Sequence, residues 1–365
     1  MFRFGINCET LINGFSSNGN RTAVEILANP DSSVTGTLSW QQHMKQAIRS
    51  VDGLLSAVGL ESESRELPPE ALDFPVFVPI PFLQRIEKGN LSDPLLRQVL
   101  PVAAEGKSPE HYSTDPLGEQ AATLSDGLLK KYQKRVLVIA SGACAVNCRY
   151  CFRRHFPYET AAIGQERWSE TIAEVATDDS INEVILSGGD PLTVSDESLE
   201  QIFVRIGEIE HVQRIRIHTR LPIVIPQRVT DRLLESIWGF RKSRTGRQVI
   251  VVVHSNHANE LDDAVCDSLR LLHQSATQVL NQSVLLARVN DDADTLVNLS
   301  ERLLVANVLP YYLHQLDPIH GVSHFEVSVE KGQQLVTAIR ARLPGYAVPR
   351  YVQELEGEPN KTVLA

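Results

Sequence analysis

Three cysteines, Cys144, Cys148 and Cys151, crowd into eight residues of the segment Ser141-Gly-Ala-Cys144-Ala-Val-Asn-Cys148-Arg-Tyr-Cys151-Phe-Arg-Arg-His155. Thiolates spaced C-x-x-x-C-x-x-C can converge on one face of a compact loop. A cubane iron–sulfur cluster usually takes four cysteine ligands, so a set of three leaves one iron open to another ligand. Other readings fit the same spacing. Cys148 and Cys151 alone resemble a thioredoxin-like redox pair, which leaves Cys144 unexplained. His155 with the three thiols makes a Cys₃His zinc site, and free cysteines are often simply buried. Spacing by itself does not choose among these. A strand before the loop and a Gly-Gly turn after the next strand tilt the balance toward a cluster.

The charge around this loop is uneven. No Asp or Glu occurs between Gly127 and Tyr158, yet Lys130, Lys131, Lys134, Arg135, Arg149, Arg153 and Arg154 all fall there. A solvated basic face and a site for anions explain such an island equally well. The chain as a whole is acidic, with 365 residues and a formal net charge of −10. That balance speaks against a dedicated nucleic-acid or anionic-membrane binder. At 42% hydrophobic and 22% charged, the composition is that of a globular protein with a real core. No basic segment followed by an apolar run opens the chain, and runs such as Val136–Ala140 are too short to span a bilayer. Five cysteines, three of them in one loop, suit a reducing cytosol rather than a secreted disulfide scaffold. The expected location is cytoplasmic.

Positioning these groups falls to an alternating pattern of strands and helices. Strand-like runs recur at Arg135–Ala140, Glu183–Ser187, Arg214–Thr219, Gln248–His254, Val279–Leu286 and Val308–His314. Helical periodicity follows at Trp168–Thr177, Asp196–Ile206, Asp231–Phe240, Glu260–Gln274 and Thr295–Val305. Such alternation predicts parallel βαβ units. The fold expected is α/β, a partial six-stranded (β/α)6 TIM-like barrel, with a doubly wound open sheet as the second choice. Polar residues sit after successive strands: the cysteines, Ser187 to Asp190, His218 and Arg220, His254 and Asn256, Gln282 and Arg288, and Asp317. Barrel active sites are built at those C-terminal strand ends. Around the barrel, residues 1–38 are expected to be a weakly ordered extension and 39–125 a helical region that includes one helix from Trp40 to Val58. Residues 126–320 form the barrel, and 321–365 a C-terminal segment with a last strand-like run, Ala347 to Val352.

Several ordered motifs together resemble one family. Cys148-Arg-Tyr-Cys151-Phe-Arg-Arg, Ser187-Gly-Gly-Asp-Pro-Leu192, Arg216-Ile-His-Thr-Arg-Leu-Pro222, Asn281-Gln-Ser-Val-Leu-Leu286 and Pro310-Tyr-Tyr-Leu-His-Gln-Leu-Asp317 are similar to those of radical S-adenosylmethionine enzymes, and within them to the lysine 2,3-aminomutase family. Asp93-Pro-Leu-Leu-Arg-Gln-Val-Leu100 and the stop at Ala365 resemble the short subgroup that supplies (R)-β-lysine for modifying translation elongation factor P.

The resemblance implies three cofactors: a [4Fe–4S] cluster on Cys144, Cys148 and Cys151, S-adenosylmethionine, and pyridoxal phosphate on Lys361. Gly188 and Gly189 would let the backbone approach the methionyl ammonium. Arg135, Lys131 and Gln282 would contact the pyridoxal phosphate group. Arg153 would bind the substrate α-carboxylate, while Asp317 and Glu354 would receive its distal ammonium. Glu354 stands where the longer lysine enzymes have Asp. Taken without the resemblance, Lys361 is an ordinary solvated lysine and Asp317 a turn residue before Pro318. The implied substrate is lysine and the implied electron donor a flavodoxin or ferredoxin. An aminomutase for another amino acid such as glutamate, and a zinc-stabilised binding module without catalysis, stand as alternatives.

Overall fold

The chain enters its sheet through a small hairpin, β1 (Thr123–Ser125) and β2 (Leu128–Leu129). It turns at Asp126-Gly127, a favoured pair for a two-residue turn, with Gly127 at φ 73°. β2 pairs antiparallel with β3 (Arg135–Ser141). From there the strands run parallel and lie side by side in chain order: β4 (Glu183–Gly188), β5 (Arg214–Thr219), β6 (Gln248–His254), β7 (Gln278–Val284), β8 (Leu309–His314) and β9 (Arg350–Gln353). A final strand, β10 (Thr362–Val363), turns back antiparallel on β9. These features belong to a computed structural model that describes residues 38–63, 67–158 and 168–365. The expectation of weak order over residues 1–38 lies almost wholly outside them. Ser39–Ala365 form one compact unit.

The sheet order separates the two architectures left open by the sequence. A doubly wound sheet reverses its strand order at a switch point; here the order never reverses, and the sheet is an open, barrel-like one. The six expected parallel strands are all present. The last strand-like run, expected at Ala347 to Val352, becomes a seventh parallel member at Arg350–Gln353, because the helix Val329–Arg340 carries the chain back alongside β8. Sequence periodicity missed that helix. Gly332 and two glutamines interrupt its apolar pattern, yet the glycine is what lets it pack close, since a Cβ there would lie 2.3 Å from the Tyr351 ring.

Helices α1 (Trp168–Thr177), α2 (Asp196–Glu208), α3 (Asp231–Ser243), α4 (Asp263–Ser275), α5 (Ala293–Val305) and α6 (Val329–Arg340) connect the parallel strands. Ser195, Thr230, Asp262, Asp292 and Ser328 cap α2 to α6 by accepting from backbone N–H groups of the first turn. β5 alternates strictly: Ile215 and Ile217 are buried in the main core, whereas Arg214, Arg216 and His218 are half-buried on the opposite face. β7 repeats this with Val279 in the core and Gln278 and Gln282 opposite. One face therefore supplies the core and the other a polar lining. No helix among the described residues is long and apolar enough to cross a membrane.

The single helix expected from Trp40 to Val58 is two, Trp40–Lys45 and Val51–Ala57. Between them Ile48 exchanges hydrogen bonds with Val78, and Ser50 caps the second piece through Gly53 N–H. Carbonyls between Ala71 and Phe77 face the cysteine loop. Asn147 donates from its backbone to Phe77 O and from its side chain to Pro75 O. Arg149, whose side chain is 0% exposed, reaches Phe74 O, Ala71 O and both oxygens of the equally buried Glu105. Arg154 adds a bond to the same carboxylate at 2.9 Å.

Removing one partner of a buried ion pair costs about 3–5 kcal/mol. Glu105→Ala, which leaves Arg149 and Arg154 without their counter-charge, is therefore expected to lower stability by that order, read as a fall in the urea unfolding midpoint.

Candidate active site at the mouth of the open barrel

The three thiols leave the C-terminal end of β3 on one loop. All are free and half-buried. Burial, then the neighbouring Cys151 and Cys148 sulfurs, push the Cys144 thiol well up. Burial and Cys148 push Cys151 up to about 12. The Cys144 and Cys151 thiols thus each feel the charge of a neighbouring sulfur on the same loop. His155 is exposed, its Nε2 3.3 Å from the His320 carbonyl oxygen. Among the described residues, no three His, Cys, Asp or Glu groups close round a single ion position. A set of three soft thiol donors on one loop, beside the guanidinium groups of Arg153, Arg154 and Arg220, fits an anionic iron–sulfur cluster.

The glycine turn closing β4 explains why the loop can sit there. Gly188 adopts φ 127°, and a Cβ on it would lie 2.3 Å from Ser141 O. A Cβ on Gly189 would lie 2.4 Å from Ala143 O. In their place, Gly189 N–H donates to Ser141 O and Asp190 N–H to Ala143 O, both at 2.7 Å. The buried Asp190 carboxylate accepts from Thr219 Oγ1 and from the N–H groups of Leu192, Arg220 and Leu221, so the turn is also fixed to the end of β5.

Arg153 is buried beside this turn. Its Nε and Nη2 donate side-on to the two Glu119 oxygens at 2.7 Å each, and Nη1 reaches Ser187 Oγ at 3.0 Å and Gly188 O at 3.3 Å. Burial works against its charge, but Glu119 holds it above the ordinary arginine value. One edge of the fork is therefore already engaged. Glu119 gave no signal in the sequence, since it lies in an irregular loop with no periodicity around it.

A second group gathers where the two ends of the parallel sheet approach. Glu354, just after β9, receives Lys131 Nζ on Oε1 at 2.6 Å and Lys361 Nζ on Oε2. Although burial opposes it, the two ammonium groups hold the Glu354 carboxyl down at about 2. Asp317 behaves oppositely: burial and the Glu354 charge push it up to about 7, against Lys361 and Lys131. Tyr132, stacked under the Arg135 guanidinium at 4.8 Å, also meets Glu354. Gln282 Oε1 lies 2.8 Å from His314 Nε2. Burial, then Lys361, lower the His314 pKa. The two groups join through Glu119, which also acts on Asp317, and through His218. Burial, then Arg216, Lys361 and Arg153, hold the His218 imidazole neutral. Its Nε2 is shielded from water and has no partner. An orphaned nitrogen next to a lysine amine, with Lys131 and Arg135 nearby, fits a polar anionic cofactor such as pyridoxal phosphate. Arg288 is exposed and bonded to His324 O, apart from this lining.

Three thiols after the first parallel strand, over a glycine turn at the end of the second, in an open barrel of ordered parallel strands, define a radical S-adenosylmethionine enzyme. Residues 133–219 match the model of the 4Fe-4S single cluster domain. The chain is 42% identical to the L-lysine 2,3-aminomutase of Escherichia coli K12, over 89% of this chain and 94% of that one. Against the protein of the same name in Haemophilus influenzae the identity is 43%, over 90% and 96%. With that of Clostridium subterminale it is 32%, over 88% and 77%. A looser likeness, at 12% identity and a TM-score of 0.45, is to Streptococcus suis SuiB bound to S-adenosylmethionine, over 63% of this chain and 52% of that one. The chain belongs to the lysine 2,3-aminomutase family.

The close backbone approach at the glycine turn is directly testable. Gly189→Ala should strain the turn by about 1–3 kcal/mol, lowering Tm and the iron retained after anaerobic reconstitution. Gly239→Ala, in α3 with nothing within 4 Å, should leave iron unchanged and add up to about 1 kcal/mol of helix stability.

Proposed function

We propose that this protein converts α-lysine to β-lysine, and that the observation carrying this reading is the Lys131–Glu354–Lys361 chain of charges beside Asp317. Cys144, Cys148 and Cys151 would hold a [4Fe–4S] cluster with one iron left for S-adenosylmethionine, and the backbone at Gly188 and Gly189 would receive the methionyl ammonium. Lys361 carries pyridoxal phosphate, with Lys131, Arg135 and Gln282 as phosphate partners. When bound, these groups supply a 5′-deoxyadenosyl radical to take hydrogen from C3 of lysine and a π-system over which its nitrogen migrates from C2.

The remaining work belongs to the chain. Arg153 has its Nε and Nη2 on Glu119, and Nη1 on Ser187 Oγ and Gly188 O, so the substrate α-carboxylate would meet Nη1 by taking the place of those two acceptors. Once Lys361 turns away to its cofactor, Glu354 keeps Lys131 on one oxygen and frees the other. That freed oxygen and Asp317 make a cation site at the depth of the distal ammonium. A substrate such as glutamate would instead bring a second carboxylate against Glu119, Asp317 and Glu354. The enclosure of these groups keeps water from a reactive carbon centre and holds C3 in place. A low-potential donor of the flavodoxin or ferredoxin class supplies the electron. A cytoplasmic setting and delivery of (R)-β-lysine to elongation factor P complete the reading, which the resemblance to the short subgroup supports.

Two variants test it. Lys361→Ala should abolish turnover and the visible band of bound pyridoxal phosphate while iron and sulfide stay at their unmodified level. A retained band would assign the cofactor to another lysine. Asp317→Asn should lower kcat/KM for lysine by about two to four powers of ten, the equivalent of about 3–5 kcal/mol for one lost partner of an enclosed ion pair.

Asp317 also predicts a pH dependence. With its carboxyl pushed up to about 7, it is protonated and neutral below that pH and anionic above it. KM for lysine should therefore fall as pH rises through 7, and the Asp317→Asn profile should be flat over the same interval.

A further inference from the structure

Outside the residues already assigned, one buried cation touches a thiol. Arg220 follows β5, and its Nη1 lies 2.6 Å from Cys148 Sγ. Nη2 donates to Glu260 Oε2 at 2.9 Å and to Gln98 Oε1 at 2.7 Å. The Arg220 side chain is 8% exposed and that of Glu260 0%. Both anchors are themselves fixed. Glu260 Oε1 accepts from Asn256 N–H at 2.8 Å and His257 N–H at 3.1 Å. Gln98 Oε1 accepts from Tyr150 Oη at 3.2 Å and Asn256 Nδ2 at 3.1 Å. The guanidinium also faces the rings of Phe82 and Tyr150.

Such an arrangement is costly for a purely structural arginine, because it brings a charge out of water and aims one of its donors at a sulfur. A guanidinium stays charged at every working pH. Hydrogen bonds to ligand sulfurs and nearby net charge are two of the levers that set an iron–sulfur potential. We infer that Arg220 sets the reduction potential of the cluster by donating an N–H···S bond to Cys148, with Glu260 and Gln98 as positioning residues that hold its fork. This rests on the reading of Cys148 as a cluster ligand. The step concerned adds one electron, from a low-potential donor, to [4Fe–4S]²⁺ and gives [4Fe–4S]⁺. Arg220 neither gains nor loses a proton. Its fixed charge favours the more negative, reduced state, and Glu260 offsets part of that effect.

The two charges give the inference a signature that mere loosening of the fold would not. Anaerobically reconstituted holoprotein is titrated with titanium(III) citrate, the reduced cluster is followed by electron paramagnetic resonance, and iron and sulfide are assayed on the same samples. Arg220→Gln should shift the midpoint to more negative potential, and Glu260→Gln to more positive potential, both at full iron content. Shifts in the same direction, or none, would overturn the inference. Should Arg220→Gln fail to fold, Glu260→Gln decides alone: a midpoint unchanged or lowered contradicts it. An unmodified protein that assembles no cluster overturns the reading of the cysteines and this inference together, a result distinct from a full cluster with an unmoved potential.

Discussion

A loop that gathers three thiols must hold its shape against their mutual repulsion and against the freedom of a chain between two strands. Here that constraint is met mainly by one buried carboxylate. Glu105 binds Arg149, which lies between Cys148 and Cys151, and Arg154 just beyond them. Charges of both signs are taken out of water together, two guanidinium groups on one carboxylate, and backbone carbonyls accept further donors. The carbonyls of Ala71, Phe74, Pro75 and Phe77 complete the clasp. The region before the sheet is therefore the outer wall of the cysteine loop. From inside, the glycine turn after β4 supports the same loop, and Asp190 ties that turn to β5. Cysteine geometry, the first two strand ends and the N-terminal turns form one mechanical unit.

The opposite side of the mouth uses charge in a different way. An open sheet leaves a seam between its first and last parallel strands, where no ladder of backbone bonds can form. Lys131, before β3, and Glu354, after β9, pair across it. Lys361 then shares the same carboxylate. The contact that draws the seam together is thus made of groups proposed to act on cofactor and substrate. Asp317, pushed up by the negative charge of Glu354, shows the consequence. One carboxylate is kept ionised by its lysines at the expense of its neighbour, which titrates near neutrality.

Much of this was legible in the sequence, for identifiable reasons. The parallel strands announce themselves as β-branched runs and most helices by their apolar periodicity, so the βαβ alternation and the polar mouth could be foreseen, while the strand order stayed open between two architectures. The cysteine loop and glycine turn carry local spacing that survives without a structure. Other features left no local trace. The helix Val329–Arg340 hides behind a glycine needed for its packing on Tyr351. The break after Lys45 depends on a bridge to Val78, thirty residues on. Glu119 and Glu105 are functional only because the fold brings them to Arg153 and Arg149, and no spacing rule reports a partner 34 or 44 residues away. Arg153, expected to bind the substrate α-carboxylate, already has Nε and Nη2 on Glu119 and Nη1 on Ser187 and Gly188 O.

The account stands or falls on whether the two halves of the mouth serve one reaction. The most direct measurement is product analysis by chromatography after anaerobic incubation of the reconstituted protein with lysine, S-adenosylmethionine, pyridoxal phosphate and a strong reductant, with glutamate run in parallel. The account predicts β-lysine from lysine and far slower turnover of glutamate. A protein that carries full iron, sulfide and pyridoxal phosphate yet forms no β-lysine, or rearranges glutamate faster, would contradict it.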